Sequence, residues 1–191
     1  MENLKVDKII ICKQEKESEN YEKFKKIVKE KRIKVIEVKM GDELNIEKDL
    51  KFQILWPKVE QIEENILNNN SIVAKLNYKG FSVLFTGDIE EIAEKAILEE
   101  NKNIKSTILK IAHHGSKSSS TEEFLNAVMP KIALIGVGQN NKFGHPSQVT
   151  LDNLKDLDCQ IYRTDLCGEI SIKVNRNGKI KVLKHINKDE T

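Results

Sequence analysis

The apolar positions of this chain fall into alternating strand-like and helix-like blocks. Lys8 to Cys12 is a short β-branched run and reads as a buried strand. Ser18 then opens a helix, with Tyr21, Phe24, Ile27 and Val28 at helical spacing among Lys and Glu. Lys34 to Val38 is a second strand, so the chain opens β-α-β. A turn at Gly41-Asp42 leads to a strand from Leu50 to Trp56, which Pro57 stops. Glu60 to Asn70 reads as helical or irregular.

Two apolar runs, Ile72 to Tyr78 and Phe81 to Phe85, flank Lys79-Gly80. A two-residue link ending in Gly predicts a tight hairpin. Helices are predicted at about Glu90–Glu99, Thr121–Val128 and Gln148–Leu157, with Pro146 suited to a first helical position. Strands are predicted at Thr107–Ile111, Ile132–Val137, Cys159–Tyr162, Glu169–Val174 and Lys179–Lys184, the last two joined by a turn at Asn175 to Gly178. Strands mixed with covering helices predict an α/β domain (α+β in some schemes) with antiparallel hairpins inside it. Residues 1–186 make one domain, and residues 187–191 read as a frayed tail.

Composition narrows the class only a little. The chain has 191 residues, 32 Lys+Arg against 30 Asp+Glu, and a formal charge of +2, too small to imply a polyanion partner by itself. Three cysteines without CxxC spacing argue against a disulfide framework or a thiolate zinc knuckle. No run approaches the roughly 20 apolar residues of a membrane span, and the chain reads as cytoplasmic or as a soluble piece of a larger protein.

Three loops, each following an apolar strand, hold the candidate chemistry. Thr86-Gly87-Asp88 ends the first strand. Asp88 there can bridge two cations or cap the helix behind it, and the roles are compatible. The second loop is His113-His114-Gly115-Ser116-Lys117-Ser118, which holds half of the chain's four histidines. Neutral imidazole suits zinc or manganese, and the serines with Lys117 suit phosphate oxygens. The third holds Gly144-His145-Pro146-Ser147, where His145 faces a substrate or sits in an ordinary capped loop. No GxSxG elbow, Walker A lysine or GxGxxG turn is present, and no cysteine lies in these loops.

Taken in order, TGD, then HHGSKSSS, NKFGHPS and YRTD resemble the metallo-β-lactamase-like domain of the ComEC family of bacterial DNA uptake, and Asn68 to Val73 fits its pattern too. The resemblance runs from about Leu4 to Val174. It implies an αββα sandwich with two divalent metals, zinc or manganese, between the sheets. It implies Asp88 as a bridging ligand and His113 or His114 as a second one, with Asp88, His113, His114 and His145 catalytic. Asn70, Ser116, Lys117, Ser118 and Arg163 map to substrate-facing positions, though Arg163 can equally pair with the domain's own carboxylates.

The family's HxHxDH or HxDxDH run has no counterpart, because no histidine precedes His113. The expectation is therefore an N-terminally truncated domain with an incomplete metal site. Its lineage would be phosphodiester or nucleic-acid hydrolysis linked to competence, attached to a membrane in longer relatives. A non-catalytic remnant or interaction module of the same fold is the alternative, and hydrolysis of a small ester or thioester a third.

Overall fold

A computed structural model describes residues 4–13, 18–100, 103–175 and 177–186; the 187–191 tail lies outside the described residues. Its strands are β1 (Lys8–Ile11), β2 (Lys34–Glu37), β3 (Glu43–Glu47), β4 (Leu50–Trp56), β5 (Val73–Tyr78), β6 (Phe81–Phe85), β7 (Ile108–Lys110), β8 (Ile132–Ile135), β9 (Gln160–Arg163), β10 (Ile170–Val174) and β11 (Ile180–Lys184). Its helices are α1 (Glu19–Glu30), α2 (Ile66–Asn69), α3 (Glu91–Glu100), α4 (Glu122–Val128), α5 (Gln148–Asp156) and α6 (Thr164–Cys167).

The expected α/β architecture holds. A seven-stranded mixed sheet runs β3-β4-β5-β6-β7-β8-β9 in sequence order. Its first half is an antiparallel meander, and β6 to β9 are parallel. At the β5–β6 turn Lys79 (φ 47°) and Gly80 (φ 82°) both take positive φ, which matches the twist of a two-residue hairpin. Each parallel step returns through a helix, and crossovers of one hand put α3, α4 and α5 on one face.

Period-two alternation explains how both faces are buried. Leu84, Leu109 and Ala133 point to the helix face and join Ala93, Ile97, Phe124, Leu125, Val128 and Leu154 in the main core. Their neighbours Val83, Ile108 and Ile132 point to the other face, where Ile172, Val174, Ile180 and Val182 of the antiparallel β10–β11 pair cover them. Ile36 and Val38, from and just beyond β2 of the parallel β1–β2 pair, pack with Ile54 and Ala74 in a third cluster. The second β-layer thus consists of two separate two-stranded sheets.

Several local expectations need correction. The strand β3 stands where only a turn was expected, while Glu60–Asn70 is part helical (Ile66–Asn69) and part irregular, as expected. The cap of α5 is Ser147, whose hydroxyl accepts from Thr150 N–H (3.3 Å), so Pro146 stands before the helix. The Arg-Thr-Asp segment closes β9 and turns into α6.

Candidate active site at the ends of the parallel strands

The loops after β6, β7 and β8 leave the sheet at the carboxyl ends of parallel strands, where sites form in open α/β sheets. Main-chain bonds tie them together. His113 N–H donates to Gly87 C=O (3.1 Å), and Ser147 N–H to Gly115 C=O (2.8 Å). Gly87 (φ +56°) and Gly115 (φ +81°) fit because a Cβ would lie 2.5 Å from Ser71 Cβ and 2.7 Å from Pro146 Cβ.

His113 (φ 46°, ψ 42°) and His114 (φ 56°, ψ 19°) take left-handed backbone inside a 3₁₀ turn at Ala112–Gly115. Two adjacent non-glycine residues in that region are strained, and packing must hold them there. His114 Nδ1 lies 2.6 Å from Gly136 C=O. A carbonyl only accepts, so Nδ1 carries the proton, and the lone pair of the neutral ring is on Nε2. That nitrogen lies 3.8 Å from Asp88 Oδ1. Asp88 is no helix cap: the first bonds of α3, from Ala93 and Glu94 N–H, end on Glu90 C=O.

His113 makes a parallel pair with Glu90, which the sequence reading missed. Its Nδ1 is buried without a hydrogen bond, 3.5 Å from Glu90 Oε1. Glu90 also accepts from Asn65 Nδ2 (2.7 Å) and Ser118 Oγ (3.0 Å), while its own N–H donates to Asn69 Oδ1 (2.9 Å). Lys110, also unanticipated, lies beneath the loops, with Nζ donating to Ile111 C=O (2.9 Å). Burial lowers its pKa, and the Asp88 charge opposes that shift. His145 meets His113 edge-on, with ring centroids 5.9 Å apart. Burial and then the neighbouring His113 and His114 lower its pKa, which favours the neutral ring.

Asp88, His113, His114 and His145 therefore share one site. The proposed substrate residues are placed less uniformly. Lys117 is exposed beside the site. Ser116 is buried and its Oγ lies 3.0 Å from Ser118 Oγ, which in turn donates to Glu90. Asn70 is buried too, with its amide donating to Ile62 and Ile66 carbonyls (2.8 and 2.7 Å) and accepting from Ile62 N–H. Arg163 forks onto Asp165 (3.1 and 2.6 Å), the pairing with the domain's own carboxylate.

These donors suit zinc or manganese by type, and the unpartnered His113 Nδ1 is a free ligand atom. Cation bonds of about 2.1 Å from each side can bridge gaps like those of the two pairs. Among the described residues, however, no group of three or more His, Cys, Asp or Glu side chains can hold a metal ion. The residues fit a cation as two-donor pairs and not as the closed shell of a catalytic centre.

Histidine and carboxylate loops gathered over a helix-backed mixed sheet define a metallo-β-lactamase-like α/β domain. The chain is 37% identical over 179 residues to ComE operon protein 3 of Bacillus subtilis, covering 93% of this chain and 23% of that one. It is 32% identical over 112 residues to competence protein ComA of Neisseria gonorrhoeae, 58% of this chain and 16% of that one. It carries a ComEC-type domain, and spans less than a quarter of the length of these relatives. No family model matches. A Parabacteroides distasonis structure, provisionally described as a metal-dependent hydrolase, superposes with a TM-score of 0.47 at 18% identity, over 72% of this chain and 60% of that one. Among the described residues, no helix is long and apolar enough to cross a membrane.

Proposed function

We propose that this domain serves phosphodiester hydrolysis, with nucleic acid as the substrate class, in a competence DNA-uptake system. The observation that carries the reading is the His114 arrangement. Its Nδ1–H is spent on Gly136 C=O, which turns the Nε2 lone pair toward Asp88 across 3.8 Å. A lone pair and a carboxylate facing each other repel unless a cation or a proton on Nε2 stands between them, so the pair favours a positive charge there. His145, whose neutral form is favoured, can take a proton, and exposed Lys117 offers a counter-charge for phosphate.

Among the described residues the donor set stops at pairs, so no catalytic step is drawn through a metal, and cleavage by this chain alone should be feeble. Titration with Mn²⁺ or Zn²⁺ tests this: weak binding, lowered at least tenfold by Asp88→Ala, is expected. Tight binding near two ions per chain would overturn the incomplete site, and unchanged binding in the variant would overturn the role of Asp88. A second reading, a non-catalytic interaction module, draws on Ser116 and Ser118, whose hydroxyls are used inside the loop. Zero hydrolysis of bis-p-nitrophenyl phosphate at saturating Mn²⁺, with nucleic acid still bound, would favour it.

A further inference from the structure

Phe143 presents its ring to solvent at the rim of the site, 81% exposed. A phenyl exposed to this degree contributes little to the core. Its neighbours in the chain, Asn140, Asn141, Lys142 and Gly144, are polar or lack a side chain, so it is not part of a contiguous apolar stretch.

The loop that carries it is nonetheless fixed. Asn141 Oδ1 accepts from the N–H groups of Phe143 (3.2 Å) and His145 (3.0 Å), while its Nδ2 donates to His145 C=O (2.7 Å) and Gly138 C=O (3.2 Å). The Phe143 ring lies offset-stacked against His145, with centroids 5.9 Å apart and planes 17° from parallel. His145 meets His113 in turn. A line of rings thus runs from open solvent to the His–carboxylate pairs, with exposed Lys142 beside its outer end.

Resting on the reading of the site as one for nucleic acid, we propose that Phe143 is a stacking platform for an unpaired nucleobase, which makes single-stranded nucleic acid or a frayed end the substrate. A ring flanked in the chain by polar residues and glycine suits a flat π-face better than a broad protein surface. Bases inside a duplex have both faces covered by their neighbours, so an unpaired base or one at a frayed end is what can use it. Phe143 then sets which substrates enter and does not take part in bond breaking.

The test uses the full chain and fluorescein-labelled oligothymidylate of eight nucleotides, with an abasic oligomer of equal length and charge and a covalently closed circular duplex without ends as controls. Wild type should bind the oligothymidylate more tightly than either control. Phe143→Ala should lose about five- to 150-fold of that affinity, the range for one stacked base, and leave abasic binding unchanged. Phe143→Trp should retain it, with an exposed indole that the base quenches against a background of buried Trp56, 1% exposed. Equal oligothymidylate binding by wild type and Phe143→Ala would overturn the platform while leaving the nucleic-acid reading intact. Failure of wild type to bind any of the three probes would overturn both.

Discussion

His114 reaches Asp88 only because its backbone adopts a left-handed conformation that side chains resist. Glu90 secures the surrounding loops through acceptors filled by Asn65 and Ser118. Replacing it by Ala should cost about 2 kcal/mol, since charged hydrogen bonds are lost and partners left bare; urea unfolding checks this. Gly115→Ala forces a Cβ to 2.7 Å from Pro146 at φ +81°. We expect it to destabilise by more than about 1 kcal/mol and to disturb the His113–His145 contact, read as shifted histidine NMR resonances. Glu94 is a third case, fully buried under α4, where it accepts from Ser120 N–H (2.5 Å), Thr121 N–H (2.9 Å) and Thr121 Oγ1 (2.8 Å). Burial raises its pKa despite those donors. Its folded form therefore holds a proton more tightly than the unfolded chain does. The resulting stability is full below the ordinary carboxyl range, about 4.3, and is lost as pH rises through the raised folded value. The wild-type-minus-Glu94→Gln difference in unfolding free energy should accordingly fall from pH 5 to pH 8. A flat difference would contradict the raised pKa. His145 works in the opposite sense, but it is common to both proteins and cancels.

At the scale of elements, legibility followed the range of the interactions. The β5–β6 hairpin was readable because Lys79-Gly80 and the flanking apolar runs are contiguous, and the structure needs positive φ at both turn residues. The candidate loops were readable for the same reason, since each joins a strand to a helix within a few residues. Glu90 was not, because Asn65, Asn69 and Ser118 come to it from 25, 21 and 28 residues away. Asn70 failed in the reverse direction. The family resemblance mapped it to a substrate-facing position, yet its amide closes a local loop against Ile62 and Ile66. Pro146 shows how a cap overrides a positional preference: Ser147 can accept from Thr150 N–H, so the helix starts after it. Thr164 was passed over within its motif, although Val137 N–H donates to its Oγ1 (2.7 Å), which donates to Val137 C=O (2.7 Å). Thr164→Val should loosen the β8 loop, and faster amide exchange at Val137 would show it.

For the whole molecule, the two faces of the seven-stranded sheet are unequally covered. The helix face holds most of the fully buried side chains, while the opposite face is shared by two short pairs, and Phe85 between them is 39% exposed. Local opening should follow that division. In native-state hydrogen exchange, β6 to β8 should open only with global unfolding, and β1–β2 well before it. Uniform protection across both would show that the small sheets are as firmly held as the core. The loop ties have a further consequence. The bonds from His113 to Gly87, Ser147 to Gly115 and Glu91 to Ser118 use only main-chain atoms. The backbone at these three points is therefore placed without help from the side chains of His113, Ser147 or Glu91. Exchanging the imidazole, hydroxyl or carboxylate at those three residues leaves the main-chain ties available, whereas Gly87 and Gly115 must stay glycine for the loops to meet.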